Sequence, residues 1–187
     1  MSVLDITVCI PTIPVRRKLL DRALNSVHAQ VLQPRGIAIA VDSDHRGAAV
    51  TRNQTLEMAT TEWIAFLDDD DEMMHHHLAR CADIQAETGA DVIVPWYDVV
   101  GGTDPVPTHR HLQIDPLRLH SIAITCLVRR EVIGDIRFME PTETGWPEDF
   151  LFWTQLGQAG AKFHQIPDTT WLWHHHGANT SGMGSRW

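Results

Sequence analysis

The chain has 187 residues, 43% of them hydrophobic, with a net charge of −9 and a pI near 5.7. That suffices for one domain with a real core, and the acidic balance speaks against nucleic acid or anionic lipid as a direct partner. The N-terminus lacks the basic and apolar regions of a signal peptide, and no apolar run reaches membrane-spanning length. Cys9, Cys81 and Cys126, widely spaced and odd in number, read as buried reduced thiols, so a cytoplasmic protein without a membrane span is expected.

Residues 6–10 (Ile-Thr-Val-Cys-Ile) read as a first strand, stopped by Pro11 and Pro14. A helix follows over about 16–30, with Leu20, Leu24, Val27 and Val31 at helical spacing on one face. Gly36 opens a second strand, 37–41, that runs into Asp42. Residues 48–59 read as a helix and 63–67 as a third strand. A helix from about 74 to 88 stops at Gly89, and a fourth strand covers 92–96. This alternation predicts an α/β fold with a mostly parallel sheet flanked by helices. Beyond it, 101–107 is a loop and Asp115-Pro116 reads as a helix start. Residues 122–128 read as a strand, and Glu148-Asp149 opens a helix that Gly160 closes. Two short strand pieces, 162–166 and 169–173, precede His174-His175-His176. No repeat or linker divides the chain, which reads as a single domain with a half at 1–98 and a half at 99–187.

The third strand ends in four aspartates, Asp68 to Asp71. Ligands of open α/β sheets bind at the carboxyl ends of strands. Carboxylates this close repel each other by roughly 1 kcal/mol per pair at 4 Å in water, and more in a shielded cleft. A divalent cation reverses the sign of that term, and oxygen ligands favour Mg²⁺ or Mn²⁺ over Zn²⁺. A hard cation there suits a diphosphate. Asp42, at the end of the second strand, leans toward the same cleft.

Several segments, in order, resemble an inverting family 2 glycosyltransferase. They are Ile10-Pro11-Thr12, Ala23-Leu24-Asn25-Ser26-Val27 with Gln30, Val41-Asp42, Arg52-Asn53 and Phe66-Leu67-Asp68-Asp69-Asp70-Asp71. Glu148-Asp149 with Phe152-Trp153, and His176-Gly177-Ala178-Asn179-Thr180-Ser181, complete the set. The resemblance spans nearly the whole chain. It implies the GT-A fold, a nucleotide-sugar donor and a divalent metal, Mn²⁺ or Mg²⁺. The sequence departs from the family where Ile13-Pro14-Val15 precede Arg16 in the first loop. It also ends soon after the histidines, so no separate acceptor domain is expected.

The resemblance assigns roles residue by residue. Asp42 accepts a hydrogen bond from the base of a uridine donor, with Asp44 and Arg52 nearby. Asp68-Asp69-Asp70 matches the family's Asp-X-Asp motif: Asp68 faces the ribose, Asp70 ligates the metal, and Asp69, counted with the donor residues, turns to the opposite side as neighbours in an extended chain do. Asp71 caps the next helix or faces the donor sugar. Asp149 is the catalytic base, and Glu148 helps hold the acceptor. His176 completes the metal site, although three successive histidines cannot all face one ion. Trp146 is the tryptophan expected to stack on the acceptor or sugar. Of His75, His76 and His77, at least two are expected to be solvated. The expected partners are a nucleotide-sugar and an unidentified acceptor hydroxyl. The weighed alternatives are a sugar-nucleotide nucleotidyltransferase and a catalytically inactive nucleotide- or sugar-binding domain. Pro11-Thr12-Ile13-Pro14 is not the Gly-rich basic loop that the former requires.

Overall fold

The computed structural model describes residues 4–105, 107, 110, 114, 115, 117, 122–140 and 146–176. Strands β1 (Ile6–Thr12), β2 (Gly36–Val41) and β3 (Trp63–Phe66) form a parallel group, with β1 between the other two. All four residues of β3 are buried, which is why it reads as an unbroken apolar run rather than an alternation. The connecting helices are α1 (Arg17–His28), entered through a 3-10 turn at Pro14–Arg16, and α2 (Ala48–Met58). Val31 does not share the buried face of α1: the helix ends at His28, and Val31 is 70% exposed beyond it.

After β3 the chain makes a two-residue strand, β4 (Glu72–Met73), before α3 (His77–Thr88). That helix ends at Gly89 in the left-handed conformation, as expected. β5 is longer than its apolar start, covering Val92–Val100, and β6 is only Leu127–Arg129. A short helix α4 (Arg130–Ile133), then α5 (Glu148–Gln158) and β7 (Phe163–His174), complete the described elements. The two expected strand pieces are one strand: β7 runs parallel to β5, with register irregularities around Trp96 and Thr169. Pro167 interrupts the sequence pattern there because it has no N–H for a ladder.

The sheet order is β2-β1-β3-β6-β5-β7-β4. It is an α/β sheet of mixed sense, with β6 antiparallel to both β3 and β5 and β4 antiparallel to β7. One core, including Phe66, Phe138, Phe152 and Trp153, lies between the sheet and α2 and α5; a second, including Ile10, Val27, Leu67 and Leu78, lies under α1 and α3. Cys9, Cys81 and Cys126 are free and buried, and burial pushes the thiols of Cys9 and Cys81 up to about 12. Of His75, His76 and His77, only His75 is exposed. His77 is fully buried, its Nδ1 2.8 Å from Thr170 Oγ1, and burial lowers its pKa to about 3. No described helix is long and apolar enough to cross a membrane.

Candidate functional site

Thr12, Asp42 and Asp68 stand at or just beyond the carboxyl ends of three neighbouring parallel strands, and all three line one cleft of about 290 Å³. The loop from β2 to α2 is shaped by Asp42, whose carboxylate accepts the N–H groups of Arg46 (2.8 Å) and Gly47 (2.9 Å). These two amides hold its pKa below the ordinary carboxylate value. The turn places His45 at φ 56° and Gly47 at φ 98°. A Cβ on Gly47 would come 2.5 Å from Glu140 Oε1, the movable end of an exposed side chain, so it is the positive φ that calls for glycine. Asp44 is exposed and is not among the residues lining the cleft.

The aspartate run is a turn rather than an extended strand, with Asp71 N–H donating to Asp68 O at 3.2 Å. Strand alternation therefore fails, and Asp69 does not point away. Its carboxylate accepts from Thr12 Oγ1 (2.6 Å) and Arg16 Nη1 (3.0 Å), buried within the cleft lining. Arg16 also reaches Asp70 Oδ2 at 3.2 Å, and Arg22 donates to the Asp70 carbonyl. Asp71 neither caps α3 nor lines the cleft. It is buried and accepts the backbone N–H of His174 at 2.9 Å.

Carboxylate oxygens of Asp68, Asp70 and Asp71 all lie within 4.8 Å of one another. Burial, then the charge of Asp68, raises the pKa of Asp70, with Arg16 opposing. Asp71 is raised well above its ordinary value, by burial first and Asp68 second. His176 Nε2 is 3.3 Å from Asp70 Oδ2, whereas His174 Nε2 turns to Glu72 Oε1 at 2.6 Å. Among the contacts described, His176 is thus the histidine of the three that reaches Asp70. Hard carboxylate oxygens crowded together, with one imidazole beside them, are a donor set that fits Mn²⁺ or Mg²⁺. The segment from Gly177 onward lies outside the described residues.

Arg52 connects this cluster to the second half of the chain. Buried on α2, it donates from Nη2 to Asp68 Oδ1 (2.8 Å) and from Nη1 to Glu148 Oε1. Asn53 beside it clasps the backbone of Phe138 in both directions, at 2.8 and 2.9 Å, which puts the Phe138 ring 5.8 Å from the guanidinium. Asp149, next to Glu148 at the start of α5, takes the N–H of Phe150 at 2.7 Å. Burial first, and the charge of Glu148 second, raise its pKa to about 6 against the pull of Arg52. Trp146 packs on Phe150, ring centroids 4.9 Å apart, and is not part of the cleft lining. Arg16 enters the sequence reading only as the arginine after the divergent first loop, and Arg22 and Trp173 carry no expected role there. The arginines carry only the signal of position, after the first strand and opposite an acidic run that needs partial neutralisation.

The glycosyl transferase family 2 profile matches residues 28–139, more than half of the chain. The chain belongs to glycosyl transferase family 2. The matched stretch contains Asp42, Arg52 and the aspartate turn, and stops short of Glu148-Asp149. Solved structures agree on the GT-A fold. TarS of S. aureus, residues 1–349, in complex with UDP-GlcNAc superposes with a TM-score of 0.78 at 19% identity, covering 94% of this chain and 60% of that one. The same protein in complex with UDP gives 0.76 at 19%, over 92% and 61%. The mannosyltransferase PcManGT from Pyrobaculum calidifontis, in complex with GDP-Man and Mn²⁺, gives 0.71 at 14%, over 92% and 57%. This family 2 chain thus spans about three fifths of the length of those structures. No curated protein sequence matches it.

Proposed function

We propose that this family 2 domain transfers a sugar, with inversion, from a nucleoside diphosphate sugar to an acceptor hydroxyl, with uridine as the base and a divalent metal at the aspartate turn. The observation that carries the reading is the convergence on one cleft of Asp42 from β2, Asp68 and Asp70 from the turn after β3, and His176 beside Asp70. Asp70 and His176 would hold Mn²⁺ or Mg²⁺, which when bound neutralises charge growing on the leaving diphosphate. Asp68 serves the ribose side, with Asp69 held beside it by Thr12 and Arg16. Asp42 faces the base, its carboxylate fixed by two backbone amides yet retaining lone pairs for an N–H of the base.

Asp149 acts as the base. As the acceptor oxygen bonds to the anomeric carbon, the bond from that carbon to the phosphate oxygen breaks, and the acceptor proton passes to Asp149. A pKa raised to about 6 suits proton abstraction, because the group is ionised at neutral pH yet is a stronger base than an ordinary aspartate. Glu148, anchored by Arg52, is left to orient the acceptor, with Trp146 on its flank. Family membership sets the nucleotidyltransferase alternative aside. The inactive binding domain is the remaining rival, and one measurement decides against it or for it. Purified protein incubated with UDP-sugars and Mn²⁺ should release UDP, slowly to water and faster with an acceptor. Binding without release under any donor would leave the inactive domain.

A further inference from the structure

β7 carries Trp171 and Trp173 on one side, two residues apart, and across the ladder they pair with Tyr97 and Val99 of β5. Their rings gather into a third apolar cluster with Trp96 and Tyr97, separate from the two cores. Tyr97 is its centre: its ring lies 5.1 Å from Trp96, stacked, 5.0 Å from Trp171 and 5.8 Å from Trp173. The polar ends are tied down, with Tyr97 Oη and Trp96 Nε1 both reaching Asp104 (3.3 and 3.4 Å) and Trp171 Nε1 donating to Pro95 O. Such bonds let large amphipathic rings be buried without an orphaned donor.

Trp173 is the end of this stack. It is only half-buried, and it is the sole Phe, Tyr or Trp among the described residues lining the cleft that also contains Asp68 and Asp70. Its two ring neighbours, Tyr97 and His175, meet it at interplanar angles of 81° and 80°, so neither stacks flat against it. The cluster also packs on Ala123. A half-buried indole therefore borders the aspartate turn.

We propose that Trp173 is a sugar-stacking platform, so that the acceptor is itself a carbohydrate whose ring lies on the indole while one hydroxyl faces the donor. A pyranose presents an apolar C–H face and a polar rim. A flat ring held edge-on by its neighbours matches the face, and a cleft lined with carboxylates and arginines matches the rim. This rests on the transferase reading, and its test separates the two.

Saturation-transfer NMR with a panel of methyl glycosides, on protein loaded with UDP and Mn²⁺, reads acceptor-side binding without turnover. At least one glycoside should be saturated through its C–H face. Trp173→Ala should weaken it about tenfold or abolish it, and Trp173→Phe should retain part of it. The UDP-induced thermal shift should fall far less than glycoside binding in both variants, because Asp42 and Asp68 also face UDP in the proposed reading. If Trp173→Ala is poorly folded, Trp173→Phe against Trp173→Leu gives the same contrast between aromatic and aliphatic. Glycosides that bind equally to wild type and the leucine variant, loss of UDP binding in place of glycoside binding, or loss on Trp146→Ala alone would each overturn the platform. Absence of UDP release from every donor, with Trp173-dependent glycoside binding intact, would remove the transferase reading and leave the platform standing.

Discussion

Two acidic runs meet around this cleft, and they are built in opposite ways. Asp68 to Asp71 form a turn at a strand end, where Arg16, Arg22 and Arg52 contact three of the four residues and burial still raises the pKa of Asp70 and Asp71. Glu148-Asp149 opens a helix, where negative charge is favoured by roughly 0.3–1 kcal/mol. There Arg52 takes Glu148, and Asp149 has a backbone amide and no cation of its own among the contacts described. The first arrangement keeps more negative charge than its arginines offset, which suits a cation. The second uses one carboxylate to satisfy an arginine and leaves its neighbour poised to accept a proton. The same residue type is thus given two chemistries by where the arginines stand.

The sharpest way to break the comparison is Arg52→Ala. It removes the guanidinium shared by both runs and strands Asp68 and Glu148, so it should cost about 3–5 kcal/mol of stability in denaturant unfolding. A loss under about 1 kcal/mol would show that the two runs are independent. Next, Asp149→Asn should lower transfer by roughly 10²-fold or more while leaving the UDP-induced thermal shift intact. Glu148→Gln should affect acceptor KM more than kcat. A parental rate in Asp149→Asn would place the base elsewhere. Third, Asp70→Ala should abolish the part of UDP stabilisation that depends on Mn²⁺. In the parent that part should be about 2.7 kcal/mol when UDP is at roughly a hundredfold its Kd, with chelator as the reference. Equal stabilisation in chelator would remove the metal from the first run.

The smallest effect is on pH. A folded pKa raised to about 6 from an ordinary 3.8 means that the folded state holds a proton on Asp149 more tightly than the unfolded chain does. The contribution of Asp149 to stability is full below about pH 4 and is lost as pH rises through about 6. Asp149→Asn should therefore be more stable than the parent above about pH 6, by an order of ~1 kcal/mol, and no more stable near about pH 4. Transfer by the parent should rise across the same interval as the carboxylate ionises. An unchanged pH–stability profile in the variant would place the raised pKa on another group.

The first three strands and their helices were legible because apolar runs and helical spacing report burial directly, and both strand-end aspartates, Asp42 and Asp68, reached the cleft. What failed did so for local reasons. The alternation expected of Asp68 to Asp71 holds only while the chain is extended, and the chain turns one residue after Leu67. Asp44 is a candidate donor contact by resemblance, but it is exposed and is not among the residues that line the cleft. β5 was cut short because Tyr97-Asp98-Val99-Val100 mixes buried and exposed positions, and its pairing with β7 has no signature in either segment alone. Arg16 and Trp173 owe their importance to contacts with distant parts of the chain, which no local pattern encodes.

The strand order has a consequence for anyone who would shorten the protein. β6, from the second half, is threaded between β3 and β5 of the first. A fragment ending at residue 98 would leave facing edges of β3 and β5 with open backbone donors and acceptors, both flanked by buried apolar side chains. Such edges seek other chains. The halves expected from the sequence, 1–98 and 99–187, would be expected to aggregate when expressed apart.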